Sequence, residues 1–199
     1  MNESILEFEV KRMLERMEDE NFTSRMLSNF ESLSFDEEFW SRGPAYVLLP
    51  YGLELTGYPP AKKFSKRLKG DKNLHHYKVS GGNVVSAVSL NEKGRVVDVE
   101  VFFQESENRF SIRFDNDHLP VSSTELYTLE GKVDFAIRVD IDGDYWAYKY
   151  FYEGGKVVKM LANASNSPPN IEIYVEYEIE KLSGLYFLKD ARKVYLYGG

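Results

Sequence analysis

The chain of 199 residues contains no cysteine and only three histidines. Without cysteine it can form neither disulfides nor thiolate metal sites, and it has no cysteine nucleophile. No apolar run approaches the roughly 18 to 20 residues that a membrane-spanning helix needs. The first residues, MNESILEFEVKR, carry acidic side chains and lack the apolar core of a secretory signal. We therefore expect a cytoplasmic protein that does not bind a membrane.

Catalytic signatures are missing as well. There is no G-x-S-x-G turn, and no histidine lies in surroundings typical of a nucleophile and its base. Alternation along the strands predicts that the carboxylates suited to acid–base chemistry face solvent, where pKa values are seldom perturbed. These carboxylates are Asp98, Glu100, Asp134 and Glu172. We expect no catalytic residues and predict that the protein is not an enzyme.

Two segments contain possible metal ligands. Asp140–Asp144 begins like a calcium loop, but an EF-hand needs glycine at the sixth position and glutamate at the twelfth. Here the glycine is fourth and the twelfth residue is Phe151. Asp115–His118 could combine with His75 or His76, although adjacent histidines on a strand point to opposite faces. Turn and loop roles explain these residues better, so we predict neither a metal nor a cofactor.

The net charge of −7 is concentrated at the N-terminus. Residues 1–40 hold eleven acidic and four basic residues, which leaves residues 41–199 balanced. Nucleic acid binding needs a positive surface, so the acidic head argues against a nucleic acid partner. The acids either solvate exposed helix faces or attract a basic protein partner. The candidate partner-binding residues are Glu15, Glu18, Asp19, Glu20, Glu172, Glu176 and Glu178.

The chain divides into three parts that we expect to form one domain, 1–199. Residues 1–44 form an acidic helical head: Ser4 and Glu7 have capping-box spacing, and apolar residues recur at helical intervals. A second helix is predicted after Asn21, followed by a short turn with Phe39 and Trp40. Residues 45–74 form a connecting segment, in which 46–55 could be an edge strand because proline disfavours a central one.

From residue 75 the pattern has a period of two. Glycine turns recur at steps of 12, 37, 12 and 12 residues, where 37 is three twelves plus one: Gly82, Gly94, Gly131, Gly143 and Gly155. One strand and one tight turn per step predict an antiparallel meander. A two-residue turn at Lys93-Gly94 or at Ser106-Glu107 aligns apolar residues on one face, and a slip of one residue would destroy that alignment. The same rule at Asp142-Gly143 places Val139 opposite Trp146.

That register puts the aromatic row, Trp146, Tyr148, Tyr150 and Tyr152, on the apolar face together with Ile137. Two interpretations remain open. The row could belong to a filled core under the helices, with hydroxyl groups reaching water. It could instead line a pocket, because buried tyrosines need a partner for their hydroxyl groups.

These patterns predict an α+β fold that is mostly β, with amphipathic N-terminal helices packed on one large, strongly curved antiparallel meander sheet of nine to eleven strands. One face of such a sheet must be covered. An open half-barrel wrapped around the helices is expected, and the alternative is a closed up-and-down barrel.

The turn units resemble a known repeat. Leu90–Val96 looks like the Y-D-x-x-G-R-L unit of YD-type (Rhs-like) repeats, and Tyr127–Val133 keeps the tyrosine and the glycine of that unit. Such repeats build β-shells of bacterial polymorphic toxins. Small, acidic, cysteine-free α+β proteins are in turn similar to the immunity proteins encoded beside those toxins. The resemblance implies a binding protein from that setting, with no catalytic residue carried over.

Three functions follow as hypotheses. The first is a non-enzymatic cytoplasmic binding protein of immunity or antitoxin type, which neutralises a basic toxin domain through its acidic surface. The second is a carrier of an apolar small molecule or lipid, held between curved sheet and helices with Trp146, Tyr148 and Tyr150 lining the pocket. The third is an adaptor that binds by strand addition at an open sheet edge.

Overall fold

A computed structural model of the chain describes residues 3–32, 34–67 and 72–198. Within these ranges, two helices, α1 (Glu3–Glu18) and α2 (Glu20–Ser32), precede the sheet, and a 3-10 turn spans Glu54–Thr56. The strands are β1 Glu37–Arg42, β2 Lys63–Phe64, β3 Leu74–Ser80, β4 Asn83–Leu90, β5 Val96–Glu105, β6 Asn108–Asp115, β7 Pro120–Leu129, β8 Lys132–Asp140, β9 Tyr145–Glu153, β10 Lys156–Ala164, β11 Ile171–Glu178, β12 Lys181–Lys189 and β13 Arg192–Gly198. In the described residues, no helix is long and apolar enough to cross a membrane.

The thirteen strands of the described residues form one antiparallel sheet, in which β3 to β13 follow one another in chain order. The predicted α+β, mostly β meander is confirmed, and the sheet is not closed into a barrel. The hairpin at Ser106-Glu107 has the predicted register, which pairs Phe103 with Phe110 and Val101 with Ile112. Alternation of apolar and polar residues thus fixes this register, because a slip would expose the apolar set.

The two helices cover part of one face of the sheet, which we call the outer face. Met13 and Met17 of α1 are buried against Ile137 and Val139 of β8. In the same way α2 packs Met26 on a cluster of buried β5 and β6 residues: Val99, Val101, Phe110, Ile112 and Phe114. Full burial of each such side chain stabilises the fold by roughly 1.5–3 kcal/mol. The amphipathic stripes of the helices therefore pack on an apolar face of the sheet, as predicted. The expectation that the sheet wraps around the helices is wrong, because its other face curves around residues 45–55.

The opposite, inner face is covered by the connecting segment. Ala45 and Leu48 are buried in one cluster with inner-face residues from β3 to β12. The Ala45 N–H donates to the Tyr77 hydroxyl at 2.9 Å, and the Tyr150 hydroxyl donates to the Pro50 carbonyl at 3.2 Å. The prediction of an edge strand at 46–55 is wrong. Since proline and glycine favour turns, the segment folds compactly and fills the curve of the sheet.

The head also contains a strand that the sequence did not predict. Phe39 and Trp40, assigned to a short turn, belong to β1, which pairs with β3. Phe39 stacks on Tyr77 with ring centroids 4.6 Å apart, and Trp40 stacks on His76 at 4.0 Å. These cross-strand aromatic pairs explain why the segment joins the sheet.

The predicted register at Asp142-Gly143 is wrong by one residue. Val139 pairs with Tyr145, and Trp146 pairs with Arg138. The loop is longer than a two-residue turn, since the Asp140 N–H donates to the Asp144 carbonyl at 2.8 Å. The aromatic row therefore lies on the inner face, and helix α1 packs on the other side of the same strands.

The turn between β11 and β12 has an unusual backbone. Ile179 and Glu180 both have positive φ, 44° and 69°, and the Ile179 side chain is 91% exposed. A hairpin turn of this kind is normally made by Asn-Gly, because a β-branched side chain is strained in the left-handed region.

We expect Ile179→Asn to raise the free energy of unfolding by about 1 kcal/mol. Urea unfolding tests this, with Ile141→Asn at a loop position of ordinary φ as the control; an equal effect of both substitutions would contradict the account.

Candidate functional site

Beyond the helices, the outer face carries a row of tyrosines, Tyr174 on β11, Tyr186 on β12 and Tyr195 on β13. Tyr174 pairs directly with Tyr186 and Tyr186 with Tyr195, so all three point to the same side. Their ring centroids are 5.4 and 5.6 Å apart. Both helices make their main contacts with β5, β7 and β8, and Tyr195 is 38% exposed. This row, together with Lys159, Glu172, Glu176 and Lys193, is called the tyrosine face below.

The charges of the tyrosine face are paired. The Lys159 ammonium donates to Glu172 at 2.7 Å, and Lys193 forms an ion pair with Glu176. Tyr174 also donates to Glu172, at 2.5 Å. The hydrogen bonds from the lysine and then the tyrosine lower the pKa of Glu172, and Lys193 with Tyr195 does the same for Glu176. The surface is therefore aromatic and internally neutralised.

The predicted acidic contact residues form two separate groups. Glu172, Glu176 and Glu178 lie on β11, where Glu178 is exposed at the end of the strand. Glu15, Glu18, Asp19 and Glu20 are exposed at the junction of α1 and α2, which we call the acidic elbow. Asp19 caps α2, because its carboxylate accepts from the Asn21 N–H at 2.9 Å. Part of the elbow thus has a structural role in addition to its charge.

The predicted pocket residues are divided between surface and core. Trp146 is 37% exposed, with the Arg138 guanidinium 6.0 Å from its ring centre. Tyr148 and Tyr150 are buried, and burial raises the pKa of both hydroxyl groups. Both rings belong to the cluster that includes Leu48. The connecting segment therefore occupies the space next to these rings, where the carrier hypothesis places a ligand.

Polar side chains gather on the inner face where the apolar cluster ends. Asp98 and Glu100, predicted to face solvent, lie here, and Glu100 is partly buried. The Ser111 hydroxyl donates to Glu100 at 2.6 Å. Burial raises the pKa of Glu100, against the opposing effects of this hydrogen bond and of Arg138 and Arg113. The prediction that these two carboxylates point to solvent is wrong, because the sheet is covered on both faces.

Glu100 makes stability depend on pH. A carboxyl whose pKa is raised by folding favours the native state fully below its unfolded pKa, and this contribution is lost as pH rises through the folded pKa. We expect Glu100→Gln to be more stable than the wild type at pH 7, and the difference to shrink toward about pH 4. Urea unfolding across this range checks it. Glu105→Gln, at an exposed position of the same strand, should show no such dependence; a constant difference for Glu100→Gln would contradict the account.

The inner face also brings together Ser89, His75 and Asp98. The Ser89 hydroxyl donates to Asp98 at 2.8 Å and lies 3.2 Å from the His75 Nδ1. When the single hydroxyl proton points to the carboxylate, the serine oxygen accepts from His75, and the histidine does not take the serine proton. Burial lowers the pKa of His75, despite the opposing charge of Asp98. This order differs from a catalytic triad, in which histidine takes the proton of serine.

A second polar network joins α1 to the sheet and was missed in the sequence. Glu125 of β7 is 9% exposed, forms an ion pair with Arg12, and accepts from Arg16 at 3.0 Å. The Tyr127 hydroxyl accepts from Arg12 at 2.7 Å and donates to Glu9 at 2.7 Å. Burial alone would lower the pKa of Arg12. The hydrogen bond and the charge of Glu125, together with Glu9, outweigh burial and raise this pKa above its usual value. The available signal was a glutamate on the apolar side of β7, with two arginines four residues apart on the helix.

Within residues 3–32, 34–67 and 72–198, no three His, Asp or Glu side chains are arranged to hold a metal ion. His75 and His76 point to opposite faces, toward Ser89 and Glu38 respectively. No known family, curated protein or solved structure matches the chain.

Proposed function

We propose that this chain is a non-enzymatic binding protein of immunity or antitoxin type, which neutralises a protein partner through the tyrosine face. The observation that carries the proposal is the row Tyr174, Tyr186 and Tyr195 on an outer face that the helices leave uncovered. Tyrosine is enriched at protein interfaces, and its truncation there often weakens binding by more than about tenfold.

The pairing of charges supports an aromatic contact with a polar rim. Glu172 and Glu176 are held by Lys159 and Lys193, so a partner that covers them leaves no charge unpaired. Burial of an unpaired charge is strongly unfavourable. A charge that is already paired within the tyrosine face can be covered by a partner at a lower free-energy cost. The tyrosine face is in this respect prepared for contact before the partner arrives.

The acidic elbow supports a basic partner. Its carboxylates are exposed, and the N-terminal forty residues carry the whole net charge of −7. Such a field speeds the encounter with a basic toxin domain and makes association sensitive to salt. In the proposed setting, the bacterial cytoplasm, the elbow steers the partner and the tyrosine face retains it.

Recovery of the partner from the source cells tests the proposal. The tagged full chain should retain one basic protein, whose identity is established by mass spectrometry and whose binding is then measured with purified components. We expect Tyr186→Ser to weaken binding by at least about tenfold through dissociation. The matched control is Tyr58→Ser, a tyrosine that is 71% exposed and lies outside the tyrosine face.

Charge reversal separates the two surfaces. The combined substitution Glu15→Lys and Glu18→Lys should slow association at low salt and leave the dissociation rate close to that of the wild type. Equal affinity of Tyr186→Ser and the wild type for the purified partner would refute the role of the tyrosine face.

A further inference from the structure

Strand β11 pairs with each of its two neighbours over only part of its length. The unpaired part lies at its beginning on the side of β12 and at its end on the side of β10. Its pairing with β12 runs from Glu178 to Tyr174 and includes no residue before Tyr174. Its pairing with β10 runs from Ile171 to Tyr174 and includes no residue after Tyr174. Two forks therefore flank β11. One lies between Ile171–Ile173 and Phe187–Lys189, and the other between Lys156–Val158 and Val175–Glu178.

The second fork is closed by the protein itself. The Tyr177 hydroxyl donates to the Val157 carbonyl at 3.0 Å, so a side chain takes the place of the missing backbone bond. The Lys156 ammonium lies 5.4 Å from the centre of the Tyr177 ring and 3.5 Å from Glu180. An aromatic ring with a hydroxyl tip is thus a group that fits a fork of this sheet.

The first fork is open. It contains a cleft of about 410 Å³, whose lining includes Ile171, Tyr174, Phe187 and Leu188. This volume lies within the range of about 300–1,000 Å³ that is usual for ligand sites. Successive residues of a strand direct their backbone groups to alternate sides, so both strands present N–H and C=O groups to the cleft. In the described residues, no ladder pair connects the two walls.

The walls of the cleft are held in place before anything binds. The Asn170 N–H donates to the buried side chain of Asn163 at 3.0 Å, which anchors the loop that leads into β11. On the other side Tyr174 is fixed through Glu172 to Lys159. Phe187 and Leu188 are held by pairing of β12 with β13. A preformed cleft reduces the ordering cost of binding.

We infer that the β11–β12 cleft binds an extended segment of the partner protein, with an aromatic side chain seated between the strands. The inference rests on the proposed function and states how the partner is recognised. Exposed backbone groups on both walls select an extended peptide, which runs parallel to one strand and antiparallel to the other. The apolar lining, with Ile171, Phe187 and Leu188, accommodates its aromatic ring, as the closed fork accommodates Tyr177.

Two blocked peptides and the ¹⁵N-labelled full chain test the inference. The probe is acetyl-Thr-Val-Tyr-Val-Thr-amide, which is neutral and is therefore not attracted by the acidic elbow. The control peptide replaces both valines by proline and so lacks two backbone N–H groups. We expect saturable shifts of the amide signals of residues 171–173 and 187–189 with the probe, and at least tenfold weaker binding of the control peptide. Absence of saturable shifts at these residues, or equal binding of both peptides, would overturn the inference.

Matched leucine variants connect the cleft to the partner. Leu188→Glu places a charge at the mouth of the cleft. Leu129→Glu places the same charge at the β7–β8 turn, away from the cleft; both leucines are more than half exposed. We expect Leu188→Glu to weaken probe and partner binding at least tenfold, and Leu129→Glu to change neither. If Leu188→Glu binds the partner like the wild type while Tyr186→Ser does not, the cleft inference fails and the proposed function stands. If the chain retains no protein partner at all, the proposed function fails.

Discussion

Replacement of Glu125 by alanine is expected to lower the free energy of unfolding by about 3 kcal/mol, because it leaves two arginines of α1 without their common partner. The carboxylate is 9% exposed and contacts both Arg12 and Arg16, whose side chains are 29% and 25% exposed. Partial access of water to the arginines keeps the loss at the lower end of the range of roughly 3–5 kcal/mol for broken buried pairs. Chemical unfolding followed by circular dichroism measures the change.

An exposed ion pair on the same helix provides the control. Glu15 lies 3.7 Å from Lys11, and both side chains are more than 60% exposed. Glu15→Ala should cost less than about 0.5 kcal/mol. Similar losses for Glu15→Ala and Glu125→Ala would contradict the view that the Glu125 network fixes α1 to the sheet.

Leu48→Ala is expected to cost about 3 kcal/mol, since the residue is 4% exposed and its removal leaves a cavity in the main core cluster. The effect is large for a residue outside any helix or strand. It follows from the position of the connecting segment, which covers the inner face. The same unfolding experiment measures it.

Leu129→Ala is the matched control for this prediction. Leu129 is 63% exposed, so the substitution should change stability by less than about 0.5 kcal/mol. A loss below 1 kcal/mol for Leu48→Ala would mean that the connecting segment contributes little to the core.

Local patterns predicted the meander because its contacts are mostly between neighbours along the chain. They failed where turn length had to be known. Two turns have the same three-residue loop, with glycine in the left-handed region. In one, the Asn91 N–H donates to the Arg95 carbonyl at 2.9 Å, and in the other the Asp140 N–H donates to the Asp144 carbonyl at 2.8 Å. Such a loop shifts the register by one residue relative to a two-residue turn.

The two loops had different consequences for the predicted pairing. After the first loop, a bulge between Leu90 and Ser89 restores the predicted pairing of Val88 with Val99. After the second loop, the pairs from Val139 to Phe135 contain no bulge, so the aromatic row moves to the inner face. A bulge depends on tertiary packing as well as on its own residues, and no local pattern revealed which strand would contain one.

The position of segment 45–55 could not be predicted for a similar reason. Its apolar residues fit a strand as well as a filler, and only the curvature of the whole sheet creates the space that Leu48 fills. The tyrosine face depends in the same way on the register of β11 to β13, which aligns Tyr174, Tyr186 and Tyr195 from three separate segments. Sequence reasoning proposed Glu172 and Glu176 as contact residues, but it could not show that their charges are paired.

Hydroxyl-radical footprinting of the full chain, with and without its purified partner, tests the central claim most directly. Modification of side chains reports their exposure, and Tyr58, 71% exposed, serves as an internal reference. We predict that modification of Tyr186 and Tyr195 falls in the complex while that of Tyr58 does not change. Unchanged modification of Tyr186 and Tyr195, with protection elsewhere on the chain, would contradict binding through the tyrosine face.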